Sequence, residues 1–305
     1  MTTDAVLVLA YGTPRDLDEV EAYYTHIRHG RPPDPGALED LRERYRLIGG
    51  RSPLLDITLE QAGGLSQRLD LPVFVGQKHA APFIADAVAH LAEHSIDRAI
   101  GLVMAPHYSA MSVGEYEREI VAAANLVGWG GRLDMIKSWH LLEGWVDLQA
   151  NFVRAALASI PEMARQETAV VFTAHSLPKA ILRTGDPYPR QLEESADAIA
   201  SRAELSAWRV AWQSVSETGR PWLGPDLLQV MVDLAGKGAK GIVVCPCGFV
   251  ADHLEILYDV DIQARDLADE LGLSFARTES PNEHPDFLGS LTRLLRATLK
   301  DKVRL

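Results

Sequence analysis

The stretch AVVFTAHSLP, residues 169–178, is an apolar run that halts at a histidine and closes on Ser-Leu-Pro. A β-branched run with no polar alternation suits a strand covered on both faces, the habit of parallel sheets. The same pattern stands at 5–14, AVLVLAYGTP, which shares Ala, Val, Ala and Pro with it and puts Tyr11 where the later copy has His175. Two further runs, AIGLVMA (99–105) and GIVVC (241–245), extend the echo: VMAPHYSA (103–110) and VCPCGFVA (244–251) each carry a strand into a proline and a loop. LPVFVG (71–76) and WRVAWQS (208–214) add a weaker strand to each half. Amphipathic segments separate these runs, so the chain reads as a duplicated α/β unit with crossover helices, divided at about residue 140 into 1–140 and 141–305.

The spacing also shows where the halves differ. Tyr11 to Pro106 is 95 residues and His175 to Pro246 is 71, an excess of 24 that falls most naturally in 16–53. Within it, HIRHGRPPDPGALEDLRERYRLIGGR (26–51) holds six arginines against four acids, inside a protein of 305 residues and formal charge −12. That local excess is a candidate anion clamp. A solvated helix face reads the same way, since Asp40 and Arg44 are an i,i+4 pair.

The overall acidity argues against nucleic acid or anionic lipid as a general partner. The opening MTTDAVLVLAYG lacks a cationic leader and no apolar run reaches the roughly 18 residues needed to span a bilayer, so a cytoplasmic protein with no integral membrane segment is expected. The two cysteines, Cys245 and Cys247 in CPCG, are too close for an unstrained disulfide and too few for an iron–sulfur cluster with four Cys ligands. They read as buried thiols, and no such cluster is expected.

In an open parallel sheet, ligands bind beyond the carboxyl ends of the strands, where Tyr11, His107, His175 and Cys247 fall. His175 is the sharpest candidate, because an imidazole at a cleft mouth can bind metal or move protons; a core histidine bonded to backbone is the alternative. Ser176 beside it suggests hydrolysis, yet no G-x-S-x-G elbow occurs in the chain. In GFVADHLEILYDVDIQ (248–263), Glu255, Asp259 and Gln263 are spaced by four and share one helical stripe. Asp252 with Glu255 also fits a capping arrangement, which leaves Asp259 unexplained. His175 and Glu255 together offer one nitrogen and one oxygen ligand, a sparse mixed set suited to a first-row divalent ion that must be released. His79 and His107 stand at loop positions and read as satisfied polar residues.

AYGTP, YYTHIRHGRPP, RYRLIGGRSPL, GQKHAAPFIADAV, APHYSAMSVGEY, TAHSLP, GDPYPRQL, AWQS, PWLGPD and GFVADHLEILYD, in order along nearly the whole chain, resemble the ferrochelatases, and more narrowly the coproporphyrin ferrochelatases of Gram-positive-type bacteria. The resemblance implies two similar Rossmann-like chelatase domains with four-stranded parallel sheets, a porphyrin cleft between them, and a last helix packed back across the hinge. It implies that His175 and Glu255 face the porphyrin centre and handle Fe²⁺, with Asp259 a secondary metal site; Gln263 stands where the family commonly has another acid. Tyr11 matches the tyrosine that approaches the metal from the opposite face and serves as axial ligand to product iron. Arg28, Arg44, Tyr45, Ser52 and Tyr116 fall on substrate-binding positions. The implied reaction is insertion of Fe²⁺, a substrate and not a permanent cofactor, into coproporphyrin III, whose four propionates suit arginine forks. A monomer that passes coproheme transiently to a coproheme decarboxylase is the family expectation. The rivals are a protoporphyrin IX ferrochelatase, a cobalt or nickel chelatase for sirohydrochlorin, and a non-catalytic haem or metal carrier.

Overall fold

A computed structural model describes residues 3–215 and 220–300. Along the first half run β1 (Asp4–Ala10), α1 (Val20–Ile27), α2 (Pro35–Leu47), α3 (Leu54–Leu69), β2 (Val73–Gln77), α4 (Ile84–Glu93), β3 (Arg98–Val103), α5 (Val113–Val127) and β4 (Arg132–Ile136). Then follow α6 (Glu143–Ser159), α7 (Glu162–Arg165), β5 (Thr168–His175), α8 (Tyr188–Arg202), β6 (Trp208–Gln213), α9 (Leu227–Gly236), β7 (Gly241–Cys245), α10 (Leu254–Leu257), α11 (Arg265–Glu270), β8 (Ser274–Arg277) and α12 (Pro285–Lys300).

Two four-stranded sheets result, ordered β2-β1-β3-β4 and β6-β5-β7-β8, every pairing parallel. The identical order is the structural form of the repeat. The central strands have helices on both faces, which is why Ala5 through Leu9 are wholly buried and apolar without alternation. The fourth strand of each sheet, RLDMI and SFAR, is mostly half-buried and interrupted by polar residues; neither stands out as a hydrophobic run, because an edge strand needs less apolar surface. The extra length of the first half is α1 and α2, where the second half has only a 3-10 turn at Lys179–Thr184 between β5 and α8.

Packing divides into three apolar clusters. One joins β1 and β3 to α4 and α5, through Leu7, Leu9, Val88 and Ile120. A second joins β5 and β7 to α9, through Val171, Val244 and Met231. The largest draws on the opposite faces of both sheets together: Val6, Val8, Ile100 and Leu102 from the first, Val170, Phe172 and Val243 from the second, with Trp145 of α6 and Phe287 of α12 among them. The Trp145 and Phe287 rings lie 5.9 Å apart. α12 packs on α3 and α6.

Polar contacts run along the same seam. Gln61 Nε2 donates to the Asn282 carbonyl at 2.8 Å, and the Tyr108 amide donates to Gln191 Oε1 at 2.7 Å. Asp186 accepts from Ser109 Oγ and the Ala110 amide. His107 belongs here, its Nε2 2.9 Å from Ser195 Oγ, and burial lowers its pKa to about 3. It is thus a neutral residue of the seam.

Candidate active site

His175 is the last residue of β5. Its Nδ1 donates to the Ser176 carbonyl, which fixes the ring and leaves Nε2 as the nitrogen turned toward Glu255. That Nε2 lies 3.5 Å from Glu255 Oε1. His253 repeats the arrangement from the other side: Nδ1 meets the Ala251 carbonyl at 2.9 Å and Nε2 lies 3.8 Å from Glu255 Oε2. Glu255 therefore stands between two imidazoles pinned by backbone carbonyls. Burial alone would raise its carboxyl pKa, but His175 and then His253 outweigh that and bring it down to about 2. The reciprocal effect raises His253, where the Glu255 contact overcomes burial. Glu255 Oε2 has no hydrogen-bond partner among the described residues, an unsatisfied carboxylate oxygen of the kind a cation completes.

The backbone behind this pair is tightly held. Tyr188 OH donates to the His175 carbonyl at 3.0 Å and Gln213 Nε2 to the Glu255 carbonyl at 3.1 Å. Gly248 lets the loop after β7 approach β5: its amide donates to the Thr173 carbonyl at 2.9 Å, and an added Cβ would stand 2.4 Å from Ala174 Cβ and 2.7 Å from Ala174 Cα. Ser176 Oγ, fully buried, donates to the Leu223 carbonyl, so it is structural. Both cysteines are free and buried.

The stripe Glu255, Asp259, Gln263 crosses a change of helix type. α10 ends at Leu257, and Asp259–Ala264 winds as a π-helix, with the Gln263 amide bonded to the Tyr258 carbonyl at 2.9 Å. Such wide turns cluster at functional sites. Asp259 Oδ2 accepts from Ser214 Oγ at 2.6 Å; burial first, and the Glu255 charge next, raise its pKa to about 6. The capping reading of Asp252 does not hold. His253 is the residue before α10 and makes no side-chain cap, while Asp252 accepts from Ser280 Oγ and Asn282 Nδ2, tying the loop toward α12.

The first half supplies the opposite wall. Tyr11 follows β1, is 44% exposed, and has its phenol pKa raised by desolvation and next by the Glu255 charge. Glu255 acts likewise on Tyr23 and Tyr45, so its carboxylate faces the first half across the cleft. Tyr45 is buried, its OH 3.1 Å from Thr13 Oγ; Tyr23 OH donates to the Gly12 carbonyl; Tyr116, also buried, couples to Tyr11. These four tyrosines lie near enough for their phenols to influence one another. Beside it the Tyr11 and His79 rings lie 4.6 Å apart, and His79 Nδ1 is 3.0 Å from His26 Nδ1, with burial lowering the His79 pKa to about 3.

Of the arginines, Arg44 reaches across: its guanidinium lies 5.1 Å from the Tyr258 ring centroid and its charge is felt at Asp259. The Asp40–Arg44 pair expected from spacing is not formed; Glu39 and Glu43 pair with Arg46, and Glu21 with Arg42. Arg28 lies at the end of α1 over Tyr24, at 5.8 Å. Ser52 is buried and its Oγ accepts from the Leu54 amide at the start of α3. His253, Ser214, Tyr23 and His26 are site neighbours that no motif singled out. Only the nearness of His253 to Glu255 in sequence gave a signal.

This is the chelatase fold. SirB from Bacillus subtilis with Fe³⁺ has a TM-score of 0.60 at 11% identity over 98% of this chain and 97% of that one. CbiX, the terminal enzyme for biosynthesis of siroheme in denitrifying bacteria, has a TM-score of 0.52 at 12% identity, covering 97% of this chain and 100% of that one. Within that fold the chain belongs to the ferrochelatase family, whose pattern matches residues 3–299. Among relatives, the coproporphyrin III ferrochelatase of Oceanobacillus iheyensis is 43% identical over 98% of each chain. That of Bacillus subtilis is 43% identical over 95% of this chain and 96% of its own. No helix among the described residues is long and apolar enough to cross a membrane.

Proposed function

We propose that this ferrochelatase inserts Fe²⁺ into coproporphyrin III, releasing two protons from the pyrrole nitrogens and giving coproheme. The observation that carries the reading is the Nε2–Oε1 approach of 3.5 Å between His175 and Glu255, with the Glu255 charge felt at Tyr11. A ring lying between these walls has a nitrogen and a carboxylate on one face and a phenol on the other.

His175 and Glu255 take iron from water and present it to the ring. His175 is pre-oriented by the Ser176 carbonyl with Nε2 turned to Glu255, and Glu255, ionised at neutral pH, lends negative charge and an unsatisfied oxygen. Asp259, with a pKa of about 6, lies further along the same wall as a secondary metal position, followed by Gln263, a weaker ligand than an acid. Tyr11 is the axial ligand on the opposite face, backed by Tyr45 and Tyr116. A flat porphyrin hides its nitrogens in plane, so binding energy at the periphery that holds the ring bent favours the metallation transition state. Arg28 and Arg44, with Ser52 nearby, supply that grip on propionates.

The test is anaerobic incubation of catalytic protein with Fe²⁺ and coproporphyrin III, followed by absorbance, with protoporphyrin IX as competitor. Multiple turnovers and preference for coproporphyrin are expected. Conversion that stops at one equivalent would make the protein a carrier, and preference for protoporphyrin IX would overturn the substrate.

A further inference from the structure

The end of α4 carries His90, Glu93 and His94, all exposed, with one ligand atom from each within 4.8 Å of the other two. Residues three and four apart share a helix face. His94 Nδ1 meets the His90 carbonyl at 2.9 Å, so its proton is fixed on Nδ1 and its Nε2 is free, the arrangement by which backbone carbonyls orient metal-binding imidazoles. His90 Nδ1 and Glu93 Oε2 are joined by a hydrogen bond of 2.9 Å, so an ion taking both atoms as ligands would displace the proton between them. Phe74 restrains both rings, at 6.1 Å and 17° from His90 and 5.5 Å from His94. The two imidazole centroids are 6.2 Å apart. Bound to one tetrahedral ion with metal–nitrogen bonds of about 2.0–2.1 Å, they would stand about 5 Å apart, a difference that small side-chain rotations remove.

The cluster is remote from the cleft. α4 follows β2 and packs back along it, so its end lies beside Phe74, near the start of the strand, whereas Lys78 and His79 leave the strand at the cleft. The helix terminus adds the negative end of its dipole. We propose that His90, Glu93 and His94 form a second metal site, which takes an exchangeable borderline divalent cation, Zn²⁺ in type, with water completing the shell. Two imidazoles and one carboxylate favour such an ion over Mg²⁺ or Ca²⁺, which prefer all-oxygen shells. Open to solvent and built on a helix that needs no ion to form, the site exchanges its metal and has no part in porphyrin metallation.

Equilibrium dialysis of the full chain against Zn²⁺ tests it, in a His175→Ala background that removes the cleft imidazole. Adding His90→Ala and His94→Ala should cost one equivalent of bound Zn²⁺. With Co²⁺ as probe, the visible band of nitrogen-bound cobalt should persist in His175→Ala and vanish in the triple variant. Glu93→Gln, which keeps both rings, should weaken Zn²⁺ about 10-fold or more. His90→Ala/His94→Ala in the otherwise native chain should metallate coproporphyrin at the native rate. Unchanged Zn²⁺ stoichiometry and affinity in the triple variant and in Glu93→Gln would overturn the site; loss of metallation in His90→Ala/His94→Ala would overturn its separateness.

Discussion

Arg44, carried by the first half of the chain, holds its guanidinium 5.1 Å from the ring centroid of Tyr258 in the second. The residue after Tyr258 is Asp259, so one arginine brings positive charge to the border between the cleft walls. Replacing Arg44 with Ala should weaken coproporphyrin by about ten- to a hundredfold, the equivalent of a lost charged hydrogen bond, and protoporphyrin IX, with half the propionates, by less. Arg44→Lys should fall between, because an ammonium keeps the charge and loses the fork. Fluorescence titration with both porphyrins checks this, and equal losses would make Arg44 a scaffold residue.

His175→Ala should cut metallation at least about 100-fold while porphyrin affinity stays close to native. Its removal also takes away the largest influence that lowers the Glu255 pKa, so the carboxyl should titrate higher in the variant. Anaerobic turnover and a carboxyl-resolved NMR titration report the two effects; near-native turnover would end the catalytic assignment.

Asp259 and Glu255 should pull stability in opposite directions with pH. The folded pKa of Asp259, about 6, is above the ordinary aspartate value of about 3.9. Between these values the folded state binds more protons than the unfolded one, so Asp259 makes the protein less stable as pH rises through that window. Glu255, lowered to about 2, contributes stability above the ordinary glutamate value of about 4.3, lost as pH falls from there toward 2. Asp259→Asn should therefore stabilise at pH 7 by up to about 3 kcal/mol and give little at pH 4. Urea unfolding at the two pH values measures it, and an equal gain at both would contradict the raised pKa.

Gly248→Ala should cost about 1–3 kcal/mol as an overpacked contact. The new methyl would press on the backbone of Ala174, the residue before His175, so metallation should fall alongside thermal stability. A stability loss with native turnover would show that the end of β5 tolerates displacement.

How far these features could be read beforehand depended on whether they repeat at short range. Buried strands such as β1 and β5 declare themselves because both faces demand apolar side chains, and the shared pattern of 5–14 and 169–178 exposes the duplication. Edge strands β4 and β8 carry no comparable demand. The helical stripe placed Glu255 and Asp259 together, but i,i+4 spacing is compatible with α and π winding alike, so the wide turn at Asp259–Ala264 left no trace. Asp252 matched a local capping pattern and instead serves a contact with Ser280 and Asn282, some thirty residues away. The same long reach explains Arg44: its expected partner was Asp40 one turn away, and the structure gives it Tyr258. The site neighbours Tyr23, His26 and Ser214 meet their partners only through folding.

The apolar cluster shared by both sheets has a mechanical consequence. A cleft hinged on a polar linker can gape and shut, but here parting the two walls would wet Phe172, Trp145 and Phe287 at once. The spacing of the two walls is thus held by shared apolar packing, and opening them carries the cost of exposing that core to water.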